Sequence, residues 1–158
     1  LGEAFGSDLA RPGAALYGVN PTPDRPNPMR SAVRLMGRVL AVRDIPAGAT
    51  VGYNATWQAP RPSRIATVGI GYADGWHRSL SGRGQAFFDG LGVPLVGRVS
   101  MDLTTFDITN RPGIAVGDWL EFVGPHAPVD AVAKAAGTIG YDILTSLAPR
   151  LPRVYTAA

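Results

Sequence analysis

"AVRLMGRVLAVRDI", residues 32–45, is the stretch on which the fold turns. Apolar residues alternate there with Arg34, Arg38 and Arg43, the pattern of a half-buried strand. Working outward, "IPAGATVGY" (45–53) carries a Pro-Ala-Gly turn into a second strand, and "RIATVGIGYADG" (64–75) is a third. "QAFFDGLGVPLVGRVSMDLTTFDIT" (85–109) holds a Phe-Phe strand, an Asp-Gly turn and two further strands. After "GDWLEFVG" (117–124) the character changes. "VDAVAKAAG" (129–137) is a short helix ending at Gly137, and Thr138 is expected to cap a second one within "IGYDILTSLAP" (139–149). "RLPRVYTAA" (150–158) returns to strand.

Upstream the chain reads differently. "RPGAALYG" (11–18) is expected to form a strand and a short helical turn, and "PTPDRPNPMR" (21–30), with four prolines in ten residues, is an extended connector. A boundary near residue 28 follows: 1–28 is a stub of another domain with its connector, and 29–158 is a mainly β domain, a compact barrel or sandwich with two short helices.

Composition narrows the function. No cysteine is present, which removes disulfides, thiolate metal sites and cysteine nucleophiles and favours a reducing, cytoplasmic setting. No apolar run reaches the length of a membrane span and no signal-peptide order opens the chain, so a soluble protein without membrane partners is expected. The net charge of +3 is carried by scattered arginines, unlike the basic stripe of a nucleic-acid surface. Lys134 is the single lysine and reads as a solvated residue on a surface helix.

"GIGYADG" (69–75) raises the functional question. Tyr72 stands among Gly69, Gly71, Ala73 and Gly75, neighbours too small to pack it, as though something else had to approach it closely. Alone it is a turn tyrosine at a strand end. By the same standard Arg11 is a surface arginine, Gly13-Ala14 a loop, Tyr141 a core tyrosine and Met101 a core strand residue.

"RPGAALYG", "VGIGYADGW", "GRVSMD" and "AGTIGYDILTSL", in that order, together resemble the C-terminal part of alanine racemases, pyridoxal-phosphate enzymes that interconvert L- and D-alanine. The resemblance extends over essentially the whole chain. It implies a C-terminal β-barrel-like domain preceded by the end of an N-terminal (β/α)8 barrel, and a head-to-tail homodimer with a composite site. It assigns Arg11 to the pyridine nitrogen of the cofactor, and the amides of Gly13 and Ala14 with the Tyr141 hydroxyl to its phosphate. Met101 would give its N–H to the substrate carboxylate with Asp102 beside it, and Arg98 would line the polar passage to the site. Trp76 and His77 would support the loop after Tyr72.

The resemblance makes Tyr72 the base acting on L-alanine, presented to the partner subunit, with its glycines making room for that partner's backbone and the flat cofactor. Moving a proton between the faces of an amino acid takes two acid/base groups, and a phenol, which titrates near pH 10, serves when cations or donors bring it toward ionisation. The second base in the family is the lysine that holds the cofactor, and that lysine lies in the barrel. Lys134 matches neither its motif nor its position. The expected function is therefore one half of a racemase site, inactive alone, supplying D-alanine for peptidoglycan in the intact enzyme and needing no metal. The alternative is a stand-alone, non-catalytic β module that binds a protein or small ligand.

Overall fold

The computed structural model describes residues 6–22 and 25–156. The stretch quoted first is its organising strand. β1 (Leu35–Ile45) pairs antiparallel with β8 (Trp119–Val123) along Leu35 to Arg38 and with β4 (Ser63–Val68) from Val39 onward. Its register shifts between Val39 and Ala41, a bulge that bends the strand and turns Leu40 outward.

β5 (Gln85–Phe88) and β6 (Leu91–Pro94) form a hairpin through Asp89 and Gly90, whose φ of 49° and 76° match the twist of a tight two-residue turn. With β7 (Thr104–Asp107) the sheet runs β6-β5-β8-β1-β4-β7. Its two edges meet in the Leu95–Phe106 bridge and a 2.9 Å bond from the Val96 N–H to the Thr105 carbonyl. The result is a nearly closed antiparallel barrel, which leaves little unpaired edge. A separate two-stranded ribbon joins β2 (Thr50–Val51) to β3 (Trp57–Gln58).

The barrel is filled from the inward positions of these strands. Phe122 stacks edge-on against Trp76 and Phe106, with ring centroids 4.8 and 5.4 Å away. Gly37 faces this cluster: a Cβ there would lie 2.7 Å from both Phe122 and Val68, so only glycine fits. A buried carboxylate, Glu121, receives the N–H groups of His126 and Ala127 at 2.7 and 3.2 Å and an ion pair from Arg34 at 3.1 Å. Burial alone would raise its pKa, but these bonds and the neighbouring His126 outweigh burial and hold it below the ordinary glutamate value.

α1 (Val129–Ala136) buries Val129, Val132, Ala133 and Ala136, the helical spacing of a single apolar face, and leaves Lys134 exposed. Gly137 ends it in the left-handed region at φ 77°, as expected. α2 (Gly140–Ser146) begins differently from the expectation: Ile139 is its N-cap, and the Thr138 hydroxyl donates to the Asp142 carboxylate at 2.7 Å instead of capping a backbone N–H. Among the described residues no helix is long and apolar enough to cross a membrane.

Two further expectations fail at the ends. Residues 152–156 form no strand, and residues 6–13 form none before the 3₁₀ turn Ala14–Tyr17. Pro23 and Asp24 of the connector, residues 1–5 of the stub and the last two alanines lie outside the described residues. Asp130 on α1 ties down both the connector and the residue before it: its carboxylate accepts the Asn27 amide at 3.4 Å and the Asn20 N–H at 2.9 Å. Val19 joins the buried core.

Candidate active site

Three of the sequence candidates meet at one end of the helices. The Ala14 N–H donates to the Tyr141 hydroxyl at 2.8 Å, across a sequence separation of 127 residues. A Cβ on Gly13 would stand 3.1 Å from that same oxygen. The pair forms one wall of an open cleft of about 720 Å³, whose other walls include Asn20, Asp130, Lys134 and Ile139. Small-residue amides and a phenol are neutral donors suited to a phosphate group, which would take the Ala14 N–H in place of the Tyr141 oxygen that accepts it here. Arg11 is exposed two residues before Gly13 and is not part of the cleft wall.

Tyr72 opens a single 3₁₀ turn, Tyr72–Asp74, closed by Gly75 at φ 97°. The turn lies directly on the segment Ser100–Met101: the Tyr72 N–H donates to the Ser100 carbonyl and the Ala73 N–H to the Met101 carbonyl, each at 2.9 Å. These contacts give Gly71 and Gly75 a reason within the chain itself. A Cβ on Gly71 would collide with the Met101 and Ser100 carbonyls, and one on Gly75 with the Ser146 carbonyl. Gly71 and Gly75 make room for the chain's own backbone. Tyr72 itself is 43% exposed, and Met101 is exposed beside it. Among the described residues no oxygen accepts the Met101 N–H.

Asp74, which sequence reading passed over, holds this arrangement together. It is buried; one carboxylate oxygen accepts the Gly71 N–H at 2.9 Å, the other accepts from Arg150 Nε at 2.7 Å, and its carbonyl accepts the Ala148 N–H at 3.1 Å. Arg150 then reaches Asp102 with Nη2 at 2.6 Å. The bond to Asp74, and next that to Asp102, push the guanidinium pKa further above its already high value, so Arg150 is a fixed cation. An aspartate three residues past a glycine is legible as a turn former; its partner 76 residues away is not.

Trp76 and His77 support the turn as expected. Trp76 is buried against Phe122, and His77 Nε2 lies 3.0 Å from the Ser146 hydroxyl on α2. Arg98 lines a second cavity of about 490 Å³ with Trp57 and Arg78.

A second tyrosine borders the same segment. Tyr53 is 64% exposed in the loop between β2 and β3, where Gly52, Asn54 and Ala55 all have positive φ, at 81°, 61° and 49°. Two consecutive non-glycine residues in that region store backbone strain, and such strain collects at functional sites. The Gly52 position packs against Gly97 and Arg98, so the segment 97–102 carries the Tyr53 loop at one end and the Tyr72 turn at the other. The one sequence signal for Tyr53 was a tyrosine following a glycine in "VGYN".

Residues 32–155 match the family model for the alanine racemase C-terminal domain. Among curated relatives, the alanine racemase of Acidiphilium cryptum is 62% identical over 98% of this chain, and that of Rhodospirillum rubrum 50% identical over 98%. Among solved structures, alanine racemase from Bartonella henselae with covalently bound pyridoxal phosphate superposes with a TM-score of 0.94 at 45% identity, over 99% of this chain. Alanine racemase from Bacillus anthracis with bound L-Ala-P gives 0.81 at 32% identity, over 92%. The chain spans 43% and 42% of those two relatives' lengths, and 44% and 39% of the two solved chains.

Proposed function

The chain belongs to the alanine racemase C-terminal domain family, and on that footing we propose that it is the C-terminal part of a pyridoxal-phosphate-dependent racemase of a small amino acid, alanine by family. Residues 1–28 are then the end of a barrel domain with its connector, and 29–158 the β domain. The intact enzyme is a cytoplasmic homodimer whose site combines this domain with a barrel that carries the cofactor lysine. Its product supplies D-alanine for peptidoglycan.

Gly13, Ala14 and Tyr141 would hold the cofactor phosphate through their N–H and O–H groups, and Arg11 would stand at the ring nitrogen. When bound, pyridoxal phosphate acidifies the α-proton of an amino acid joined to it. This chain's residues then do two things. The Met101 N–H, which has no internal acceptor among the described residues, orients the substrate carboxylate with Asp102 beside it, while Arg98 lines the approach. A tyrosine hydroxyl moves the proton on the L face. The observation that supports this reading is the doubled backbone hydrogen bond between the Tyr72 turn and Ser100–Met101, which joins the loop carrying the phenol to the loop carrying the Met101 amide.

Tyr72 is the tyrosine that the family resemblance nominates. Backbone strain supports Tyr53 as a second candidate, with Tyr72 then lining the approach. Solvent-isotope exchange at Cα of each enantiomer, in Tyr72→Phe and Tyr53→Phe variants of the full-length protein, tests both. The base is the tyrosine whose removal abolishes exchange from L-alanine and spares most of that from D-alanine. Equal losses from both enantiomers in both variants would remove tyrosine from the role. The 158-residue chain alone, with cofactor added, is expected not to racemise alanine; activity there would overturn the composite-site reading.

A further inference from the structure

We infer that Arg150 is a positioning residue of the active site: with one edge of its guanidinium it binds Asp74 and Asp102 together and so fixes the Tyr72 turn relative to the Met101 amide. The inference rests on the proposed racemase reading and adds to it a residue that lies outside the four motifs and near the end of the chain.

The geometry is that of a clamp. Arg150 Nε donates to Asp74 at 2.7 Å and Nη2 to Asp102 at 2.6 Å, so adjacent donors of one planar group engage carboxylates from two different loops. Asp74 passes the constraint inward through its bond to the Gly71 N–H, at the start of the Tyr72 turn. Asp102 is the neighbour of Met101 in sequence. The two loops also touch through the backbone bonds of Tyr72 and Ala73, at a Gly71 contact with no slack for adjustment.

Stability alone does not account for the outer half of the clamp. The Asp102 side chain is 57% exposed and that of Arg150 is 50% exposed, and an ion pair so placed contributes little to folding. Its effect is on distance: reacting groups displaced by about 1 Å can lose roughly a hundredfold in rate. A lysine at 150 keeps the charge but cannot present two fixed, parallel donors.

The test uses the full-length protein, with Arg150→Lys and Asp102→Asn compared with the unaltered enzyme. Each variant is expected to lose roughly tenfold or more in kcat/KM, with the melting temperature little changed in Asp102→Asn, which touches only the exposed half of the clamp. In the Arg150→Lys variant amide hydrogen exchange should rise together in the peptides covering 71–75 and 100–103. The double variant should be no worse than the poorer single one, because both break the same contact. Unaltered kcat/KM in both single variants overturns the inference, as does exchange that stays at the original level in both peptides. Failure of the unaltered enzyme to racemise alanine overturns the racemase reading instead, so the two are told apart.

Discussion

The Tyr72 turn and the Tyr53 loop present the same side chain from opposite ends of one segment, yet they are held by different means. Around Tyr72 the backbone is relaxed: the single left-handed position is a glycine, and a buried aspartate, an arginine and the backbone N–H groups of 71–76 fix the turn. Around Tyr53 the backbone is strained at Asn54 and Ala55, and the loop hangs on a two-residue ribbon. A polar clamp holds one tyrosine, while strained local conformation and the packing of Gly52 on Gly97 and Arg98 set the other. The first should be sensitive to side-chain deletion and the second to relief of strain.

The sharpest way to break this contrast is Gly71→Ala. Its methyl group has no space beside the Met101 carbonyl, so a loss of about 3 kcal/mol in denaturant unfolding is expected, with tyrosine and amide pushed apart. Asp74→Ala should follow. It strands the Gly71 N–H and frees Arg150, costing about 2 kcal/mol by the same measurement. A smaller change of opposite sign is expected at the other loop. Ala55→Gly removes the strain of φ 49° and should stabilise the protein by about 0.5 to 1 kcal/mol, while activity falls if Tyr53 is the proton carrier. Destabilisation by Ala55→Gly would mean that the loop is not strained.

The smallest effect concerns pH and serves as a control away from both tyrosines. Because the folded Glu121 pKa is depressed, its contribution to stability is full above the ordinary glutamate value and disappears as pH falls through the depressed one. Glu121→Gln should flatten that acid slope in melting temperature without altering the difference between the two loops.

Much of this was legible beforehand, for identifiable reasons. The alternation in 32–45 found β1, the Asp89-Gly90 pair found its hairpin, and Gly137 marked the end of α1. At the site, the motifs that nominated Gly13, Ala14 and Tyr141 led to groups that do meet, and those that nominated Tyr72 and Met101 led to neighbouring loops. The terminal strand was misread because alternation in a short segment says nothing about whether an edge remains to receive it. The glycines of "GIGYADG" were legible as clearance, but the sequence could not show that the chain's own 100–101 and 146 carbonyls lie against two of them.

Period, turn chemistry and capping involve residues a few positions apart, so they were already decided in the order of the amino acids. The closing of β6 on β7, the partners of Asp74 and the strain at Asn54 and Ala55 were decided only by the folded chain. Each depends on which distant segment the topology delivers to the same place, and a guanidinium 76 positions away leaves no mark on the sequence around the carboxylate it will bind.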